Sequence, residues 1–303
     1  VIVYLATSSH LYTIQRYLKS IWGRDLSELI LYRSYQEVFS LRQIPPATYI
    51  FADLERLNPS QAKAAARIWQ SFLDSKTVPS SQYRLLNHPT RVMRRYELLR
   101  NLYERGINTF NVYYLTECRH PSQFPVFLRT ETDHQGSQSP LLQNQDELNQ
   151  AIADLNKKGL SRDNKMICEF CNTADSEGIY RKYSALKIGD RIIAQHLFFS
   201  HNWVLKFPDL LADRLLEEEL HYLQTNPHTD RLQEIFHLAR IDFGRIDYSL
   251  VNDRFYIWEI NTNPVTLPDS IPGSETALKR LRANEIFSKH YREALLAIRT
   301  NSP

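Results

Sequence analysis

The chain has 303 residues, 43% of them hydrophobic, which is enough to bury a sizeable core and to build two domains. Lys and Arg number 37 against 34 Asp and Glu, a formal charge of +3, and so even a balance excludes a global attraction to nucleic acid or to an anionic membrane. Any anion site must be local. No run approaches the roughly 18 apolar residues that a membrane helix needs, and the first residues lack a basic stretch leading into a long apolar one, so a soluble cytoplasmic protein is expected. Three cysteines, Cys118, Cys168 and Cys171, are too few for a disulfide framework. The one CxxC spacing has no second pair to complete a zinc site, and its two residues would point to opposite faces of a strand.

In chain order, Val1–Ala6 reads as a strand, followed by Thr7, Ser8 and Ser9 as caps for a helix through Leu11, Ile14, Leu18 and Ile21. Leu29–Tyr32 and Thr48–Ala52 read as further strands, and alanine-rich Pro59–Leu73 as a helix with proline at its start. These elements suggest an α/β unit over the first 85 or so residues. Arg91–Arg105 is helical, with Leu98, Leu99 and Leu102 on one side and Gly106 as its stop. The chain then becomes strand-rich: Asn111–Leu115, Pro125–Thr130, Met166–Cys171, Tyr183–Ile188 and Arg191–Phe199, with a helix at Asp146–Lys158. Polar stretches at Asp133–Pro140 and Asn172–Gly178 read as loops. Leu211–Leu223 and Thr229–Ala239 look helical. After Pro264 comes a loop with Pro268, Pro272 and Gly273, then a helical region from Ser274 to Ile298 with Leu278, Leu281, Ile286, Leu295 and Ile298 as core candidates. His196 and His201 lack a spaced partner and read as structural.

The run RIDYSLVNDRFYIWEINTNP, Arg245–Pro264, carries the chemistry. Arg245–Val251 and Phe255–Asn261 are strand-like and flank turn-like Asn252, Asp253 and Arg254, so they should pair as a hairpin. Alternation puts Ile246, Tyr248 and Leu250 on one face and Arg245, Asp247 and Ser249 on the other, while Trp258 and Ile260 oppose Glu259 and Asn261. For Asp247 to lie across from Glu259 the loop must be odd, which predicts a three-residue turn at 252–254. Trp258 then packs into the core, and Arg245, Asp247, Glu259 and Asn261 converge on the other side as a hard-oxygen set suited to magnesium.

RID, the twelve-residue step from Asp247 to Glu259, and EINTNP resemble the C-terminal signature of the ATP-grasp superfamily. The resemblance implies an α/β (α+β) protein. Residues 1–85 would form a Rossmann-like pre-ATP-grasp domain, and residues 86–303 an ATP-grasp domain of two α+β lobes hinged near 169–172. It implies ATP and two magnesium ions as cofactors, with manganese as the alternative metal. Asp247 would ligate one ion, Glu259 would bridge both and Asn261 would ligate the other, while Arg245 would stabilise the transferring phosphoryl group. FPVFLR resembles the strand that carries a phosphate-binding lysine, with Arg129 in its place, and TETDHQGSQS stands where a glycine-rich lid is usual, with Gly136 as its one glycine. MICEFCN resembles the adenine hinge, with backbone groups around Glu169, Phe170 and Cys171 binding the base and either Asp175 or Glu177 reaching the ribose. In GIYRKYSALKIGDRIIAQHL, Lys182 is the first choice for a phosphate contact, and Lys206 after SHNWVL is the second.

The implied activity is ATP-dependent ligation through an acylphosphate. A small-molecule or peptide carboxylate would be joined to an amine (or a thiol) with release of ADP and phosphate. A small-molecule kinase and a non-catalytic nucleotide-binding module are the alternatives. The sequence is silent on the substrates and on oligomeric state.

Overall fold

The computed structural model describes residues 1–40, 45–75, 78–117, 120–133, 136–267 and 274–299. Cys118, His134 and Gln135 of the lid segment, and the loop containing Pro268, Pro272 and Gly273, lie outside them.

The chain opens with β1 (Ile2–Ala6), α1 (Tyr12–Lys19), β2 (Ile30–Ser34), α2 (Tyr35–Phe39), β3 (Thr48–Phe51), α3 (Pro59–Leu73) and β4 (Arg84–Leu86). The four strands form a parallel sheet in the order β2-β1-β3-β4, with Ile2 paired to both Ile30 and Thr48. Parallel neighbours need crossovers, and the helices supply them. α3 begins where expected because Asn58 accepts from the Gln61 N–H and Pro59 occupies the first helical position. β4 and α2 were not foreseen, each being only a few residues long.

Next come α4 (Arg95–Glu104), β5 (Val112–Tyr114), β6 (Val126–Thr130), α5 (Gln145–Lys157) and β7 (Lys165–Glu169), whose strands make an antiparallel sheet ordered β5-β7-β6. The remaining elements are β8 (Tyr180–Ile188), β9 (Arg191–Ser200), α6 (Asp213–Thr225), α7 (Thr229–Ala239), β10 (Phe243–Val251), β11 (Arg254–Asn261), α8 (Glu275–Lys279) and α9 (Leu281–Ala297). Their strands form a second antiparallel sheet ordered β11-β10-β8-β9. The protein is therefore a mixed α/β fold, with one parallel and two antiparallel sheets among the described residues. Among the described residues no helix is long and apolar enough to cross a membrane.

A shared core joins the parallel sheet to the larger antiparallel one: Ile2, Tyr4 and Ile50 pack with Leu186, Ile188, Phe243, Phe287 and Tyr291. A second core places Leu98, Leu99 and Leu102 of α4 against Met166, Ile246, Tyr248 and Ile257. At the C-terminus, Leu295 and Ile298 are buried, but Leu278 and Leu281 are exposed. The expected single helical region is broken at Arg280, whose guanidinium is bound to Glu219, so the apolar stripe does not run through.

The hairpin departs from its expected turn. Val251 pairs with Arg254, so the loop has two residues, Asn252 and Asp253, with φ of 49° and 61°. Positive φ at both positions defines the type I′ turn that matches strand twist, and Asn and Asp tolerate it better than other non-glycine residues. That turn alone would set Asp247 opposite Trp258. Instead the register shifts between Asp247 and Tyr248: Tyr248 pairs with Ile257, Asp247 with Glu259, and Trp258 is the extra residue of a bulge. The acidic pair faces as expected, but through a bulge and not an odd turn. Ile257 is fully buried in the core position expected for Trp258.

Asp253→Gly should leave stability unchanged or raise it by up to ~1 kcal/mol, because glycine adopts positive φ freely. Asp253→Val should lose about 1–2 kcal/mol. Urea denaturation of the two variants checks both.

Candidate functional site

The two antiparallel sheets face each other across a cleft of about 390 Å³. One part of its wall is aromatic. Trp203 lies 5.0 Å from Phe127 and 5.5 Å, edge-on, from Phe170, ring centre to ring centre. Another part is charged, formed by Arg129, Lys182, Lys206, Arg245, Asp247 and Glu259.

Each carboxylate of the hairpin is clasped by cations. Asp247 accepts 2.7 Å from Ser184 Oγ and 3.3 Å from Arg245 Nη2. Arg245 Nε also lies 2.9 Å from its Oδ1, and Lys182 Nζ is 4.0 Å from Oδ2. Glu259 Oε2 accepts 2.6 Å from Arg95 Nη2 and 2.8 Å from Arg129 Nη2. Lys182 itself donates to the Leu205 carbonyl at 2.6 Å and sits over the Phe198 ring. Burial pushes its ammonium pKa down, and Asp247 opposes the shift. The cations around these two carboxylates outnumber them, so the wall retains positive charge for a polyanion.

Arg95 escaped the sequence reading, although a signal was there. Leu98, Leu99 and Leu102 mark the buried stripe of α4, and Arg95 stands on the same stripe at helical spacing. A charge on an apolar stripe must be paired. Arg95 is buried, and besides Glu259 it donates to the carbonyls of Thr130 (2.9 Å), Glu131 (2.6 Å) and Asp133 (2.7 Å).

Of the residues expected from sequence, Arg129, Phe170, Cys171, Lys182, Lys206, Arg245, Asp247 and Glu259 line the cleft. Trp258 also lines it while remaining packed against the core beneath the hairpin, where Ile257 takes the fully buried place. Its Nε1 donates 3.0 Å to Ser249 Oγ and its ring stacks on Phe110. Gly136, at φ +87°, lies against Lys206, and an added Cβ would come within 3.1 Å of the lysine Cε.

Four expected residues are not part of the lining. Glu169 points into the preceding loop, accepting from the N–H groups of Asn111 (2.7 Å) and Ser122 (3.1 Å), the Tyr113 hydroxyl (2.8 Å) and Gln123 Nε2 (3.1 Å). Asp175 closes its own turn, accepting from the N–H groups of Glu177 and Ile179 and pairing with Arg181. Glu177 pairs with Arg214 at the surface, and Thr173 and Tyr180 line the cleft beside this turn. Asn261 is buried, with Oδ1 accepting from the Asn263 N–H at 2.8 Å.

Asn263 fastens the end of the hairpin to the parallel sheet. Its Oδ1 accepts from Tyr4 Oη (2.7 Å) and Thr13 Oγ1 (2.6 Å), and its Nδ2 donates to the His10 carbonyl. Thr262 Oγ1 accepts from the Leu54 N–H and donates to Glu55.

His196 lies in the cleft wall, buried and stacked on Phe198 at 3.8 Å. Burial, Arg245, Lys182 and Arg280 keep its pKa well below the ordinary histidine value.

Among the described residues no three or more His, Cys, Asp or Glu side chains gather into a metal-holding group. The hard-oxygen donors in the cleft are the opposed pair Asp247 and Glu259, which fit a magnesium ion that keeps waters or phosphate oxygens in its other positions.

No family model matches the chain, and no curated protein matches it. The chain is similar in structure to D-alanine–D-alanine ligase from Bacillus anthracis, at 13% identity and TM-score 0.48 over 98% of this chain and 97% of that one. It is also similar to a RimK domain ATP-grasp protein from Sphaerobacter thermophilus, at 13% identity and TM-score 0.49 over 95% and 98% of the two chains. The L-amino acid ligase from Bacillus licheniformis matches at 11% identity and TM-score 0.47, over 95% of this chain and 73% of its own.

Arg95→Leu should lose about 3–5 kcal/mol in chemical denaturation, because it removes the buried donor of three carbonyls and one of the two arginines that hold Glu259. Acid should also destabilise the protein. Below the ordinary histidine value the unfolded chain takes up a proton at residue 196 that the folded chain does not, so stability falls as pH falls. His196→Phe should flatten that slope in denaturation curves recorded across the acid range.

Proposed function

We propose that the cleft binds ATP with magnesium and that the chain is an ATP-grasp ligase joining a carboxylate to an amine or thiol through an acylphosphate. One observation carries this reading. A pair of opposed carboxylates, Asp247 and Glu259, stands among a surplus of fixed cations in a cleft whose other wall is aromatic. Its agreement with the signature read in Arg245–Pro264 supports the family assignment.

In this reading adenine lies among Phe127, Phe170 and Trp203, with the backbone around Phe170 and Cys171 at its edge. Arg129, Lys182 and Lys206 hold the phosphates, and Arg95 supports Glu259 from behind. Asp247 and Glu259 would hold magnesium, with Asn261 behind them, and a bound ion would neutralise phosphate oxygens. Arg245 stabilises charge on the γ-phosphoryl group as the substrate carboxylate attacks it and ADP leaves. The acylphosphate then yields to the amine, releasing phosphate. Arginine at 129 keeps a permanent charge and a planar fork where a lysine would offer a point charge. The carboxylate substrate is a small molecule or a peptide.

The test is ADP and phosphate release across a panel of amino acids, peptides and cell-extract fractions. Glu259→Gln should lower turnover by at least about 100-fold while leaving the circular dichroism spectrum unchanged. Unchanged turnover in that variant, or a phosphorylated acceptor without free phosphate, defeats the ligase reading.

A further inference from the structure

β9 carries a second bulge. Ser184 pairs with His196 but Ala185 with Ala194, which leaves Gln195 as the extra residue. Successive strand residues normally face opposite ways, yet Gln195, His196 and Phe198 all line the cleft. Both polar side chains are buried, Gln195 at 4% exposure and His196 at 5%. Gln195 Oε1 and both ring nitrogens of His196 have no hydrogen-bond partner. Unpaired buried polar atoms destabilise a fold, and native structures keep few of them without a use.

The two side chains are nonetheless firmly held. Gln195 Nε2 donates 2.5 Å to the Thr266 carbonyl, and the imidazole lies parallel to the Phe198 ring, 13° from coplanar. Arg245 reaches the same loop, its Nη1 donating to the Val265 carbonyl at 3.3 Å. The orphaned atoms therefore adjoin the residue assigned to the transferring phosphoryl group. We propose that Gln195 and His196 form the subsite for the nucleophile and that this nucleophile is a primary amine bound in its neutral form.

The chemistry of the atoms selects that class. Gln195 Oε1 can only accept, and a neutral imidazole offers one further acceptor, so the partner must bring hydrogen-bond donors, and a primary amine brings two on one atom. Burial first, and then the charges of Arg245, Lys182 and Arg280, hold the imidazole neutral, and the same dry, positive surroundings disfavour an ammonium ion. Val265 and Phe198 add apolar wall. An amine held there keeps its lone pair free. The proposal rests on the ligase reading for what the amine attacks, but its binding can be measured without it.

The experiment uses the wild-type full chain labelled with ¹⁵N in its histidine rings. The His196 signals are assigned by their loss in His196→Phe. Glycinamide, a primary amine with no carboxylate, should shift them saturably, and tetramethylammonium, a cation with no N–H, should not. In His196→Phe the calorimetric affinity for glycinamide should fall about tenfold, the loss of one hydrogen bond of about 1.4 kcal/mol, with an unchanged or higher Tm. No shift at saturating glycinamide, an equal shift with tetramethylammonium, or wild-type affinity in the variant overturns the proposal. A wild-type titration in which no histidine signal shifts overturns it even if the variant fails to fold. ATP binding is measured on the same wild-type sample. Glycinamide binding without ATP binding leaves the subsite and removes the ligase reading, and ATP binding without glycinamide binding does the reverse.

Discussion

Between Ile257 and Glu259, β11 carries one residue more than the strand it pairs with, and the charged wall of the cleft depends on that residue. A type I′ turn of two residues gives the tightest reversal and suits Asn252 and Asp253, but on its own it would place Asp247 across from an indole. The bulge at Trp258 restores the opposition of Asp247 and Glu259. It also lets Trp258 and Glu259, neighbours in sequence, both line the cleft, while Ile257 fills the core beneath. The bulge at Gln195 repeats the device on β9. Each inserted residue doubles the side chains that a short stretch of strand can present to one surface.

Crowding two carboxylates on one sheet face costs Coulomb energy, and burial raises that cost. The surrounding elements offset it from several directions: α4 sends Arg95, β6 sends Arg129, β10 sends Arg245, and β8 sends Lys182 and Ser184. The guanidinium of Arg95 is held by three backbone carbonyls as well, so the clasp on Glu259 is rigid on one side. A polyanion entering the cleft would compete with Asp247 and Glu259 for the same cations.

Periodicity made much of the fold legible. α3 and α7 span the residues their patterns mark, and most strands of both antiparallel sheets were visible as β-branched and aromatic runs. The hairpin's polar residues were legible because four of them share one alternating register. What was not legible is long-range. No local pattern says that the Glu169 carboxylate will be taken by Asn111, Tyr113 and Ser122. A bulge is likewise invisible in hydrophobic patterning, since it changes the phase of a strand without changing its composition. Arg95 stands between these cases, its position on an apolar stripe being readable and its partner not.

The fastening of Asn263 bears on the order in which the molecule assembles. Tyr4 Oη and Asn263 Oδ1 are joined across 259 positions, and Thr13 and Asn263 across 250. Closing so long a loop is entropically expensive, so contacts of this kind are made after local ones have formed. During synthesis the first sheet emerges long before its partner asparagine leaves the ribosome. The anchor of the hairpin on the parallel sheet is thus among the last contacts to form, and a chain cut short before residue 263 would lack both that anchor and the α9 residues Phe287 and Tyr291 that close the core between the sheets.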